Sequence, residues 1–167
     1  MDLLSHFRKV TDFPKPGIQF LDMSPLLASP VLLAETLKQL SSSVDWSLID
    51  VVIGIESRGF MLGAPLAARH GKGFVPCRKA GKLPPPVFSE TYDLEYGTAT
   101  LEMQPGQGRA LIVDDVLATG GTLKAALSIS KKAGYHVQDL VVLLNLKQLN
   151  KMTFNNSPIR SVITVSD

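Results

Sequence analysis

The sequence predicts an α/β fold with a mostly parallel central sheet flanked by helices. Two observations carry this. Short apolar runs recur at Asp50–Ile55, Gly73–Cys77, Ala110–Val113, Asp139–Leu144 and Arg160–Val165, as expected of strands buried on both faces. Helical patterns fall between them at Phe60–Arg69 and Thr122–Ala133. Strands alternating with helices give a parallel sheet whose working loops sit at strand C-termini.

At 167 residues the chain has the length of one domain with a full core, and a single domain over 1–167 is expected. Hydrophobic residues make up 45% and charged residues 19%, an ordinary balance for a soluble globular protein. A net charge of +2 is too small for a nucleic-acid footprint, so any positive potential must be local. The single Cys77 excludes an internal disulfide and a Cys-rich metal site. No apolar run is long enough for a membrane span, and Met1-Asp-Leu-Leu-Ser-His-Phe-Arg has no basic-then-apolar leader pattern. The expectation is a soluble cytoplasmic protein with no membrane and no nucleic-acid partner.

Taken in order, Phe13–Leu27 (Phe-Pro-Lys-Pro-Gly-Ile-Gln-Phe-Leu-Asp-Met-Ser-Pro-Leu-Leu) contains prolines and Gly17 that forbid a regular helix, so it reads as a shaped, extended segment. A helix over Val31–Leu40 follows. Strand Asp50–Ile55 ends at Glu56-Ser57-Arg58-Gly59, where a helix begins, with Gly71 as its stop. A strand-to-helix junction favours an anion, although Glu56 and Arg58 also fit a solvated ion pair. Strand Gly73–Cys77 delivers Arg78, Lys79 and Lys82 ahead of Pro84-Pro85-Pro86. That is a basic flap over a highly charged ligand, or a solvated loop with a polyproline linker. Val87–Met103 reads as two strands around Glu95-Tyr96-Gly97, and helix Thr122–Ala133 ends at Gly134. His6, His70 and His136 lack ligand spacing and read as structural or solvated; Cys77 reads as a small buried hydrophobe.

The chemistry is concentrated in Ala110–Thr122, Ala-Leu-Ile-Val-Asp-Asp-Val-Leu-Ala-Thr-Gly-Gly-Thr. A buried strand surfaces with two adjacent carboxylates, Asp114 and Asp115, then passes through a loop of small residues into a helix. Small residues let backbone N–H groups approach a phosphate closely, and the helix dipole favours it. Thr119 and Thr122 add hydroxyls. This is not a Walker A loop, because Gly121 is followed by Thr122-Leu123, and no G-x-G-x-x-G is present. Carboxylates repel phosphate, so Asp114 and Asp115 should face something neutral beside it. Vicinal ribose hydroxyls fit, since each donates to a carboxylate. The pattern points to a ribose 5-phosphate, its phosphate on Ala118, Thr119, Gly120, Gly121 and Thr122.

This stretch resembles the ribose-phosphate motif of type I phosphoribosyltransferases, which use 5-phosphoribosyl 1-pyrophosphate (PRPP) with Mg²⁺. Three further segments resemble adenine phosphoribosyltransferases. They are Pro16-Gly-Ile-Gln-Phe-Leu-Asp22 before Pro25-Leu26, the Glu56–Gly59 turn, and Tyr92-Asp-Leu-Glu-Tyr-Gly97. The resemblance implies a type I phosphoribosyltransferase fold with a mobile β-hairpin lid over about 78–103 and a base-covering segment over about 1–30. It implies a homodimer that makes AMP and pyrophosphate from adenine and PRPP in purine salvage.

The resemblance also assigns roles. Ser57, Arg58, Arg78, Lys79 and Lys82 would meet the pyrophosphate, with Glu56–Ser57 expected as a cis peptide. Mg²⁺ would be held through substrate oxygens and water rather than directly by the protein. Glu95 and Arg58 are the implied catalytic residues. Glu95 would handle the purine N7 proton once lid closure raises its pKa, and Tyr96 would exclude water. Around Ile18, Phe20 and Leu21 the backbone would match adenine's N6 donor and N1 acceptor, a pattern that a 6-oxo purine reverses. Leu117 would form the opposite wall. Two departures from the family pattern are Leu21, at a position often polar, and the short connection from Met103 to Gly108. Two other functions compete: transfer to another base, and a PRPP-sensing regulator. The regulator would need a DNA-reading domain for which the chain has no room.

Overall fold

The structure is a computed structural model that describes residues 1–94 and 97–166. It comprises two compact units, Met1–Ser42 and Ser43–Asp167.

In the first unit, β1 (Arg8–Thr11) and β2 (Gln19–Asp22) pair antiparallel, with Arg8 opposite Asp22 and Thr11 opposite Gln19. The sequence pattern does not announce β1, because three of its four residues are exposed and no apolar alternation is needed. Asp12 and Gly17 both take positive φ in the turn, and the Gly17 N–H donates to Asp12 Oδ1 at 2.6 Å. Phe13 and Phe20 meet edge to face, with centroids 5.2 Å apart. Next comes α1 (Ser24–Ala28), which corrects the expectation of no regular helix before Leu27. Pro25 lies in the first turn, where its missing N–H has no partner to lose. Helix α2 (Pro30–Ser42) starts the same way, with Ser29 Oγ accepting from the Leu32 N–H.

The second unit is built on a seven-stranded sheet. Its members are β3 (Val51–Ile55), β4 (Gly73–Lys79), β5 (Phe88–Leu94), β6 (Gly97–Met103), β7 (Gly108–Leu117), β8 (Tyr135–Leu146) and, after the small hairpin β9 (Thr153–Phe154) and β10 (Ser157–Pro158), β11 (Arg160–Val165). The order is β11-β8-β7-β3-β4-β6-β5, parallel from β11 to β4 and antiparallel across β6 and β5. Helix α3 (Arg58–Arg69) links β3 to β4, and α4 (Gly121–Ala133) links β7 to β8. From the adjacent pair β3 and β7 the chain therefore crosses in opposite directions. That makes a topological switch point, where open α/β sheets form their ligand crevice.

Alternation along the strands supplies two cores. Ile53, Ile55, Ile112, Leu140 and Val142 pack with Leu123, Ala126 and Ile129 of α4. On the other side α3 approaches very closely because three glycines permit it. A Cβ on Gly59 would lie 2.9 Å from the Val113 carbonyl oxygen and 3.1 Å from Asp114 Oδ1, and Gly54 and Gly63 both face the Phe74 ring. Cys77 is fully buried in β4, beside Ile55; burial, with the Asp114 and Glu56 charges, pushes its thiol up to about 12. The short β6–β7 connection is tied to the end of α4, where the Gly106 N–H donates to the Ala133 carbonyl at 2.9 Å. Hairpin strand β5 rests on the same helix through the Glu90–Lys132 ion pair. His70 stacks on Trp46, centroids 3.8 Å apart.

Candidate active site

A cleft of about 510 Å³ opens at the C-terminal ends of β3 and β7. Both helix N-termini border it, α3 with Ser57 and Arg58 and α4 with Gly120, Gly121 and Thr122. Neither helix has an acidic residue in its first turn, so their positive dipole ends favour an outside anion.

Between the two ends stand Asp114 and Asp115, 7% and 6% exposed. Asp114 Oδ1 accepts the Asp115 N–H at 2.9 Å. Burial, and then the Asp115 charge, push the Asp114 carboxyl well above the usual carboxylate range. Asp115 Oδ2 lies 2.8 Å from Arg58 Nε. Arg58 thus spans from one junction to the carboxylate of the other, while Glu56 pairs with Arg78 and Lys82.

The phosphate-type loop begins after Leu117, which is buried and lines the cleft with Ala118 and Thr119. Gly120 takes φ +94° and turns the chain into α4. Asn150 supports this loop from behind. Its Nδ2 faces the carbonyls of Ala118 at 2.9 Å and Leu146 at 3.0 Å, and Asn145 Oδ1 at 3.0 Å. Tyr92, from β5, lines the cleft and its hydroxyl accepts from Thr122 Oγ1 at 3.4 Å. Sequence reading assigned no role to Asn150 or Tyr92. Tyr92 sits in the recognised hexapeptide, whereas Asn150 lies 32 residues from Ala118 with no local signal.

The basic side is arranged differently from the expected flap. Arg78 and Lys79 are the last residues of β4, and only Lys79 of the three cations lines the cleft. Glu56, with its side chain 8% exposed, accepts from Lys82 Nζ at 2.5 Å, the Lys79 N–H at 2.7 Å and Arg78 Nη2 at 3.2 Å. Burial pushes the Glu56 carboxyl up, but these three donors together hold it at about 2. The Glu56–Ser57 peptide is cis. Of the proposed base contacts, Ile18 is 43% exposed, and Phe20 and Leu21 are half-buried in the first unit. Glu95 and Tyr96 lie outside the described residues. Among the described residues no cluster of three His, Cys, Asp or Glu could hold a metal ion, and no helix is long and apolar enough to cross a membrane.

Residues 26–155 match the phosphoribosyl transferase domain family. The chain is similar to the adenine phosphoribosyltransferase of Bdellovibrio bacteriovorus, at 55% identity over 98% of this chain and 99% of that one. Its structure is similar to the crystal structure of the Rhodothermus marinus adenine phosphoribosyltransferase, with TM-score 0.88 and 43% identity, covering 98% and 96% of the two chains. It is also similar to the Saccharomyces cerevisiae adenine phosphoribosyltransferase in complex with D-2,5-dideoxy-2,5-imino-altritol 1,6-bisphosphate and adenine. There the TM-score is 0.87 and the identity 33%, over 96% of each chain.

Proposed function

The chain belongs to the phosphoribosyltransferase family, and within it to the adenine phosphoribosyltransferases; from that premise we propose how its residues divide the reaction. The activity is transfer of 5-phosphoribose from PRPP to adenine, giving AMP and pyrophosphate. The observation that carries the assignment of roles is the convergence of two anion-favouring helix ends on one cleft, with a carboxylate pair between them.

In this reading the ribose hydroxyls donate to Asp114 and Asp115. Backbone N–H groups and hydroxyls of Ala118–Thr122 take the 5-phosphate. Ser57, Arg58 and Lys79 meet the pyrophosphate from the cleft wall, and Arg78 and Lys82 add charge beside it. Arg58 is also the catalytic cation, offsetting charge that grows on the leaving oxygen. Backbone groups around Ile18, Phe20 and Leu21 read the adenine edge, with Leu117 against the ring. N9 of the 7H tautomer forms the bond to C1′ as the C1′–O bond breaks and its electron pair leaves on pyrophosphate. The N7 proton passes to the Glu95 carboxylate, and Tyr96 keeps water from the sugar carbon.

The donor set fits Mg²⁺ of the outer-sphere kind. Two adjacent carboxylates, one already engaged by Arg58, suit an ion that keeps its waters and takes substrate oxygens. When bound, Mg²⁺ offsets charge on the pyrophosphate. The two units are proposed to act as one phosphoribosyltransferase domain, since the family match runs across Ser42. A cytoplasmic homodimer is proposed as well, with light scattering and cell fractionation as its tests.

The direct test offers adenine, hypoxanthine, guanine, xanthine, uracil and orotate separately to the protein with PRPP and Mg²⁺. AMP from adenine alone is expected, and product from another base would overturn the role given to Ile18–Leu21. Glu95→Ala is expected to lower turnover by about 10²- to 10⁴-fold; unchanged turnover at saturating substrates would remove Glu95 from the mechanism.

A further inference from the structure

Glu56 is an acidic side chain set among the cations of the pyrophosphate side, and nothing in the reaction calls for it. A bare carboxylate there would repel the ligand. It is instead saturated, by Lys82 Nζ, Arg78 Nη2 and the Lys79 N–H. The two cations differ in freedom. Arg78 is pinned: its guanidinium sits 5.9 Å from the Phe60 ring centroid, Nη1 reaches the Lys82 carbonyl at 3.5 Å, and Nε is buried with no acceptor among the described residues. Lys82 is a compact charge on a flexible four-carbon stem, with its side chain 47% exposed. With Lys82 gone, Arg78 alone still neutralises Glu56.

We propose that Glu56 is a positioning residue that sets how tightly the pyrophosphate end is held, by competing with it for Lys82. In the free site Lys82 rests on Glu56. When the pyrophosphate group enters, Lys82 turns to its oxygens while Arg78 and the Lys79 N–H remain on Glu56. When pyrophosphate leaves, Glu56 takes Lys82 back. The consequence is kinetic as well as structural. Cations that gripped substrate and product equally would add affinity without speeding the chemical step, and a competing carboxylate limits that grip.

This rests on the assignment of pyrophosphate to Ser57, Arg58, Arg78, Lys79 and Lys82, so the experiment separates the two. Pyrophosphate with Mg²⁺ is titrated calorimetrically into wild type, Glu56→Gln, Lys82→Met, Lys79→Met and the Glu56→Gln/Lys82→Met double variant. Glu56→Gln is expected to bind about five- to tenfold tighter, Lys82→Met and Lys79→Met more weakly. The gain from Glu56→Gln should shrink in the Lys82→Met background, because neighbours acting through one contact are non-additive. Equal or weaker binding by folded Glu56→Gln overturns the proposal, and so does the same gain in both backgrounds. If Lys79→Met and Lys82→Met both bind as wild type, the pyrophosphate assignment itself fails. A readout on the wild-type protein covers loss of folding in Glu56→Gln. On saturation with pyrophosphate the Lys82 side-chain NMR signal should move while the Arg78 Nε signal stays, and a static Lys82 signal overturns the proposal.

Discussion

The two strand-to-helix junctions of the cleft do the same electrostatic job with different materials. At β7–α4 the loop carries no charged side chain between Asp115 and Lys124. It offers backbone N–H groups and hydroxyls, and is fixed from behind by Asn150. At β3–α3 the junction is crowded with charge: Glu56 gathers three donors and Arg58 reaches across to Asp115. Under the proposed assignment of the 5-phosphate to β7–α4 and the pyrophosphate to β3–α3, the difference matches the fates of the two anions. The 5-phosphate keeps its place through the reaction, so a preorganised cradle serves it. The pyrophosphate must be gripped and released, and side chains with alternative partners suit that.

Breaking the bridge between the junctions should have the largest effect. Asp115→Ala removes the contact to Arg58 and the proposed one to the ribose; two charge-assisted hydrogen bonds at about 1.5–3 kcal/mol each predict a loss of kcat/KM for PRPP on the order of 10²- to 10⁴-fold. Steady-state kinetics at saturating adenine check this.

The glycines sharpen the contrast in packing. Gly59→Ala puts a Cβ 2.9 Å from the Val113 carbonyl, an overpacking of about 1–3 kcal/mol that should lower Tm by several degrees. Gly121→Ala meets nothing closer than 3.5 Å, and its Tm should stay near wild type. Equal losses in a thermal melt would mean that the two helices are seated alike.

Asn150→Ala tests whether the junctions are independent. Losing the loop's buried support, at about 1–2 kcal/mol, should raise KM for PRPP about tenfold while leaving pyrophosphate affinity unchanged. Weakened pyrophosphate binding would couple the two ends.

The smallest effect concerns pH. Burial and the Asp115 charge raise the Asp114 pKa in the fold. The fold is thus best supported with Asp114 protonated; that support is full below the unfolded carboxylate value and is lost as pH rises through the raised one. Asp114→Asn should therefore gain a few degrees of Tm at pH 8 and nothing near pH 4, at the expense of PRPP binding. Glu56, held at about 2, has the opposite sign: its contribution is present above the ordinary carboxylate range and is lost only as pH falls toward 2.

Local order in the chain decided what could be read from it. The β7–α4 loop is contiguous, with strand, carboxylates, small residues and helix within thirteen positions, and Asp114, Asp115 and Leu117 to Thr122 all line the cleft. The ends of α3 and α4 are marked just as locally, by Gly71 and Gly134, both at positive φ. What escaped depends on partners far away in sequence. Arg78 and Lys82 read as a flap because their acceptor, Glu56, lies 22 and 26 residues upstream. Strand β8 starts at Tyr135 rather than Asp139, since pairing with Gly108–Ala110 carries the polar Tyr135-His136 pair into the sheet. Strand β1 and the β9–β10 hairpin are too short and exposed to mark themselves by periodicity.

The chain's single thiol has a practical consequence. Cys77 is sealed inside β4 with its pKa near 12, so at neutral pH it offers almost no thiolate to a maleimide or iodoacetamide. A cysteine introduced on the exposed face of the β5–β6 hairpin, at Ser89 or Thr98, would take a fluorophore selectively in the otherwise native background. Movement of that hairpin during turnover could then be followed by emission from one dye, with no cysteine-free parent to build first.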